Sequence, residues 1–294
     1  MRYIILCLLI LTGFSVHAQE LYIMSDPASN VPAKSIGIRV TNKLMPRPYD
    51  NGYSYRVLPE VMFGINKNFM IRGMAYASNM FQRGMQLEGG NIYTKYRFLS
   101  VDDLHSHFRM AAFGKVAISS NPLTMQHTRQ HIIDGTPHPI TNIYSSNEIE
   151  LDGNHSGFNA GIVATQLVHK LAVSGTVAYT NRWENMNVPG VPGISRHAAN
   201  YSLSAGYLLL PRVYKDYKQP NFNVYVDILG TNALDGKGYY LDVVPGIQFI
   251  FNSISRLDLA YRVQAAGSME RFNTSSWLLR YEYNFLNALM KKEK

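Results

Sequence analysis

Charge is scarce in this chain. Asp, Glu, Lys and Arg make up 16% of its 294 residues, against about 25% in a typical soluble domain. Cysteine is nearly missing as well: Cys7 is the single example, and it lies close to the N-terminus. A disulfide framework and a thiolate nucleophile are thereby excluded for the rest of the chain. After the N-terminus no apolar run reaches the roughly 20 residues that a membrane-crossing helix needs. A glycine-rich phosphate loop is absent too, because Gly89-Gly90 stands alone inside a strand-like pattern. Aromatic residues, by contrast, are plentiful. Twenty tyrosines and thirteen phenylalanines, in a chain that is 46% hydrophobic, exclude a disordered polypeptide.

The N-terminus reads as an export signal. Arg2 supplies a positive start, Ile4 to Leu11 an apolar stretch too short to span a bilayer, and Val16-His17-Ala18 a small-residue cleavage site before Gln19. Residues 1–18 are therefore expected to be removed, which leaves 19–294 as one domain without cysteine. Loss of Arg2 lowers the net charge from +8 to +7.

Helical periodicity is hard to find in what remains, whereas alternation of period two recurs, the mark of strands with one apolar face. In Tyr239 to Phe249 the odd positions are mostly apolar or aromatic, and the even ones include Asp242, Gly246 and Gln248. Leu257, Leu259, Tyr261 and Val263 alternate with Arg256, Asp258, Arg262 and Gln264. Trp277, Leu279, Tyr281, Tyr283 and Phe285 alternate with Ser276, Arg280, Glu282 and Asn284. The pattern predicts about twelve strands, near 35–43, 53–64, 68–79, 87–99, 106–119, 156–167, 171–182, 199–209, 222–230, 238–251, 255–265 and 275–285. Their connections alternate between short and long, and the longest is a loop at 120–155, expected to be external. An even strand count with short turns on one side and long loops on the other predicts an all-β, transmembrane, antiparallel up-and-down barrel of the outer membrane. A secreted sandwich would show the same alternation. It would bury its apolar face, whereas a membrane barrel turns that face outward. The barrel is favoured because this face is rich in Tyr, Phe and Trp near strand ends, as aromatic girdles require. The other face also carries too many full charges for a dry sandwich core.

At Leu58-Pro59-Glu60-Val61-Met62-Phe63-Gly64-Ile65-Asn66-Lys67-Asn68-Phe69 the chain resembles the transporter family of the MetA pathway of phenol degradation. Val244-Pro245-Gly246-Ile247-Gln248, followed by Ser255-Arg256-Leu257-Asp258-Leu259, is similar to a later hairpin of that family. The resemblance implies an outer-membrane channel or transporter and carries over no catalytic residue.

With the alternation fixed, ten basic residues are expected to line the lumen: Arg39, Arg56, Arg72, Lys95, Arg97, Arg109, Lys115, Arg256, Arg262 and Arg280. Five acids join them: Glu60, Asp227, Asp242, Asp258 and Glu282. Arg72, Lys95, Arg97 and Arg109 lie on consecutive strands where no inward acid is placed, so they are expected to be unpaired. Such a wall would favour an anionic or aromatic solute. The alternative for the same charges is a salt-bridged interior that stiffens a structural or docking barrel.

His127, His131 and His138 in the long loop are candidate metal ligands, although their spacing matches no known site. A hydrolase would need a nucleophile beside a base. Asn154-His155-Ser156 places the two side by side, which an extended strand would send to opposite faces. No enzyme activity and no cofactor are expected. The basic residues are scattered rather than clustered, which argues against nucleic acid as a partner. The partners expected are outer-membrane lipid and a small-molecule solute.

Overall fold

The computed structural model describes residues 22–81, 84–134, 136–188, 193–213 and 218–290. The expected signal peptide, residues 1–18, lies outside them. Fourteen strands follow one another: β1 Ser35–Pro46, β2 Tyr53–Gly64, β3 Phe69–Ser78, β4 Gln86–Asp102, β5 Ser106–Ser119, β6 Thr124–Ile133, β7 Thr136–Ser145, β8 Gly157–Val168, β9 Leu171–Arg182, β10 His197–Leu210, β11 Asn221–Ala233, β12 Tyr239–Phe251, β13 Ser255–Gly267 and β14 Ser275–Phe285. Twelve of them close into an antiparallel barrel, with β1 paired to β14 and β5 to β8. β6 and β7 form a separate two-stranded hairpin. The chain is thus a transmembrane up-and-down barrel, and among the described residues it has no helix long and apolar enough to cross a membrane.

The alternation in the sequence becomes the two faces of the wall. Along β13, Arg256, Asp258, Ala260 and Arg262 are buried inside, while Leu257, Leu259 and Val263 are exposed outside. Tyr53, Trp277 and Phe285 stand on the outer surface near strand ends, where aromatic girdles meet the membrane interface. Local chemistry makes the short turns. The Asn66 side chain accepts hydrogen bonds from the amides of Asn68 (2.8 Å) and Phe69 (2.9 Å), an Asx turn that reverses the chain. Asn252 and Ser253 adopt left-handed φ of 52° and 57° between β12 and β13, as the tightest hairpin turns require.

The region expected as a loop at 120–155 holds the β6–β7 hairpin. Asp134-Gly135 is the signal that sequence reading passed over, since this pair favours the left-handed turn of a two-stranded ribbon, and Asp134 has φ 51°.

Two segments that are not strands enter the barrel. Residues 22–34 fold up into it from the short-turn end before β1 begins. Tyr22 and Ile23 pack on Ala172, Tyr225, Val244, Ala260 and Leu278. Further along, Ala28 packs on Ala111 and Val163, and Val31 on Met62 and Met70. Residues 146–156, between β7 and β8, descend from the other end, where Glu148, Ile149, Leu151 and His155 are buried. Gly153 is needed there: it has φ +110°, and a Cβ would sit 2.8 Å from the Arg56 guanidinium carbon.

Candidate functional site

The interior of the barrel is polar, and the two inserted segments decide how its charges are arranged. All fifteen charged residues singled out by the alternation project inside. Arg97, Arg109 and Lys115 are only partly covered, and the others are buried. One network crosses the seam between the last and first strands. Arg256 Nε and Nη2 reach Asp258 and Glu282, each at 3.0 Å. Glu282 also takes Arg39 Nε at 2.8 Å, and Arg39 Nη1 lies 3.6 Å from Glu60. Glu60 continues to Arg72 at 3.3 Å, which then reaches Asp26 of the inserted N-terminal segment at 3.1 Å.

A second network gathers around residues 146–156. Lys43 pairs with Glu150 at 3.0 Å and Lys115 with Asp152 at 2.9 Å. Arg262 contacts Asp242 (2.6 Å), Glu148 (3.2 Å) and Glu150 (3.7 Å). Arg271 reaches the same acids, Glu148 at 2.5 Å and Asp242 at 2.7 Å. Arg56 pairs with Glu88 at 3.0 Å. Burial works against charge on Asp26, Glu150 and Asp152. The surrounding cations outweigh it and hold all three carboxyls below the usual carboxylate range: Arg72 and Lys95 for Asp26, Lys43 and Arg262 for Glu150, Lys115 and Lys43 for Asp152.

The expectation of an unpaired basic wall is therefore corrected. Arg72 has two carboxylates, Lys95 donates to the Pro27 carbonyl at 2.8 Å, and Arg109 reaches Asp102 at 3.3 Å and Ser29 Oγ at 3.1 Å. Arg97 has no ion pair among the described residues. Asp227 holds the N-terminal segment instead of a cation, accepting from the Met24 amide and Ser25 Oγ, both at 3.1 Å. Arg280 donates to Thr41 Oγ1 at 2.9 Å and to the Tyr22 carbonyl at 3.3 Å.

Sequence reading missed the residues that supply the balance: Asp26, Lys43, Glu88, Glu148, Glu150, Asp152 and Arg271. Lys43 shares parity with Arg39 and could have been found. Glu88 was hidden by a change of register. Tyr76 faces Gly89 and Ala77 faces Leu87, so Glu88 is an extra, bulged residue, and Gly89-Gly90 was its signal. The other five lie outside the strands, where alternation says nothing.

The loop histidines do not converge. His127 stacks on Tyr49 with ring centroids 4.3 Å apart. His131 stands opposite His138 across β6 and β7. Among the described residues no group of three or more potential ligands gathers around a metal position. His155 Nε2 lies 2.6 Å from the Glu148 carbonyl oxygen, while Ser156 Oγ donates to the Ser119 carbonyl at 3.3 Å. No hydrogen bond joins the His155 and Ser156 side chains.

Between the inserted segments lies a cavity of about 230 Å³. It is lined by Asp26 from below, by Glu150 and Asp152 from above, and by the wall from β3 round to β13. No family model and no curated protein matches the chain. Among solved structures it is similar to an outer membrane channel from Pseudomonas putida F1, with a TM-score of 0.55 at 9% identity over 90% of this chain and all of that one. It is also similar to the KdgM porin (TM-score 0.44, 9% identity, 85% of this chain and 99% of that one). The NanC porin stands near it as well (TM-score 0.43, 10% identity, 85% and 98%).

Proposed function

We propose that the protein is an outer-membrane conduit for a small solute, held narrow by residues 22–34 and 146–156. The observation that carries this reading is how the interior is filled. About eight strands give a lumen that the side chains of the wall can fill, and the diameter grows with strand number, so twelve strands enclose a wider space. Here the filling is two non-strand segments, tied to the wall by ion pairs and hydrogen bonds, with a cavity between them. Segments held this way can shift without opening a strand ladder. The fold shared with an outer membrane channel and the resemblance at Leu58–Phe69 point the same way.

The solute is not selected by an unpaired basic wall, because the inserted acids answer most of the basic excess that the strands carry. Small, weakly ion-selective conductance is the expected behaviour in planar bilayers. Deleting residues 22–30 should raise it severalfold, since the segment bridges β3, β4, β8, β11 and β14 across the lumen. A folded deletion variant that passes no ion or small solute would overturn the conduit and leave the structural or docking barrel.

A further inference from the structure

The cavity has two chemically different walls, and the contrast points to its ligand. One wall holds three cations and three carboxylates, which are all the charged groups that line the cavity among the described residues. They are already matched: Arg72 with Asp26 at 3.1 Å, Lys115 with Asp152 at 2.9 Å, Arg262 with Glu150 at 3.7 Å. The formal charge around the cavity is thus zero. An ion entering it finds these charges already partnered and must compete with a counter-ion, which leaves one buried charge uncompensated.

The opposite wall, from β8 to β11, lines the cavity with no charged side chain. Asp227 of β11 also points inward, but it does not line the cavity and is occupied by the Met24 amide and Ser25 Oγ. The amides and hydroxyls of this wall form a row. Asn159 Nδ2 donates to Thr180 Oγ1 at 2.9 Å, Thr180 Oγ1 to Asn200 Oδ1 at 2.5 Å, and Asn200 Nδ2 to Thr231 Oγ1 at 2.9 Å. Thr176 and Ser202 face each other across β9 and β10 in the same wall. Neither hydroxyl has a hydrogen-bond partner among the described residues. Each can donate and accept, which suits a ligand hydroxyl that does both. The Asn–Thr row is fixed by its own bonds, so these groups are already oriented before a ligand arrives.

Size narrows the class further. About 230 Å³ falls below the roughly 300–1,000 Å³ of sites that enclose drug-sized ligands. We infer that the cavity binds a small uncharged polyhydroxy solute, of the size of one sugar ring or sugar alcohol, against the neutral wall of β8–β11. This rests on the conduit reading, because the cavity lies on the proposed path.

Equilibrium dialysis of the full-length barrel in detergent tests it, with three labelled probes of one ring size: glucose, glucuronate and glucosamine. Glucose should bind at least about tenfold more tightly than either charged analogue, the cost of roughly one poorly compensated charge. The Thr176→Val, Ser202→Ala double variant should lose several-fold in glucose affinity. Equal or tighter binding of a charged probe, or no glucose binding by the wild type, would sink the inference without any variant being needed. Wild-type glucose affinity in a folded double variant would do the same. Liposome swelling on the same preparation separates the two readings. Binding without flux removes the conduit and keeps the site, whereas flux without neutral-selective binding removes the site and keeps the conduit.

Discussion

Arg39 sits between Glu60 and Glu282 with none of its side chain exposed. Desolvating three charges is expensive, and the arrangement holds because each carboxylate also has a second arginine, Arg72 or Arg256. Truncating one member of a buried pair leaves its partner uncompensated, at a cost of about 3–5 kcal/mol. The second arginines soften that loss. Arg39→Met should therefore destabilise the barrel by about 3 kcal/mol, at the lower end of that range. Urea unfolding in detergent micelles, followed by tryptophan fluorescence, measures it. The Arg39→Met, Glu60→Gln double variant should recover part of the loss, because it removes one of the stranded carboxylates along with the arginine.

The inserted segment 146–156 carries a buried group that titrates near physiological pH once it is exposed. His155 is buried in it, and burial first, then the nearby Arg182 charge, pushes its pKa down from 6.5 to about 4. A depressed histidine is neutral in the folded state, so its contribution is complete above the unfolded pKa and is lost as pH falls towards the folded one. Between pH 7.5 and 5 the segment should lose roughly 2 kcal/mol of its hold. Glu150 and Asp152 stay ionised through this window, because their pKa values lie below the usual carboxylate range. Amide hydrogen exchange over residues 146–156 should accelerate at pH 5 in the wild type and much less in His155→Asn. An unchanged rate in the wild type would show that His155 is not coupled to this position.

Elements also show what was legible in the sequence. Strands β8, β9 and β14 could be placed to within a residue, because alternation of apolar and polar side chains is a direct imprint of a two-faced wall. The inward register of the charges was readable for the same reason. What fills the enclosed space was not. Ser25-Asp26-Pro27-Ala28-Ser29 has the composition of a linker, and Glu148, Glu150 and Asp152 lie in a stretch without strand periodicity. Their acids acquire meaning only opposite Arg72, Lys115 and Arg262, which are far away in sequence. The hairpin β6–β7 was missed differently. Its residues are nearly all exposed on both faces, so no apolar face marks it.

At the scale of the molecule, the short-turn end and the long-loop end should lie on opposite sides of the membrane, as in outer-membrane barrels with short periplasmic turns. A small tag at Asn142, exposed on β7, should be labelled by an impermeant reagent on intact cells. A tag at Lys67, in the turn between β2 and β3, should be labelled only after the cells are opened. The reversed result would invert the orientation, and labelling of both on intact cells would contradict a membrane-spanning barrel.

The seam between β1 and β14 has a consequence for how such a molecule is made. Arg39 meets Glu282 across 243 residues of chain, and the Tyr22 carbonyl meets Arg280 across 258. Synthesis proceeds from the N-terminus, so the residues that end at the centre of the barrel emerge first and their partners last. Until β14 is available, Arg39 lacks the Glu282 carboxylate and the N-terminal segment lacks one of its anchors. A chain that stops after β13 leaves an open edge together with an interior whose charges do not match. Sealing of the wall and the last anchoring of the inner segment thus both wait for the end of the polypeptide.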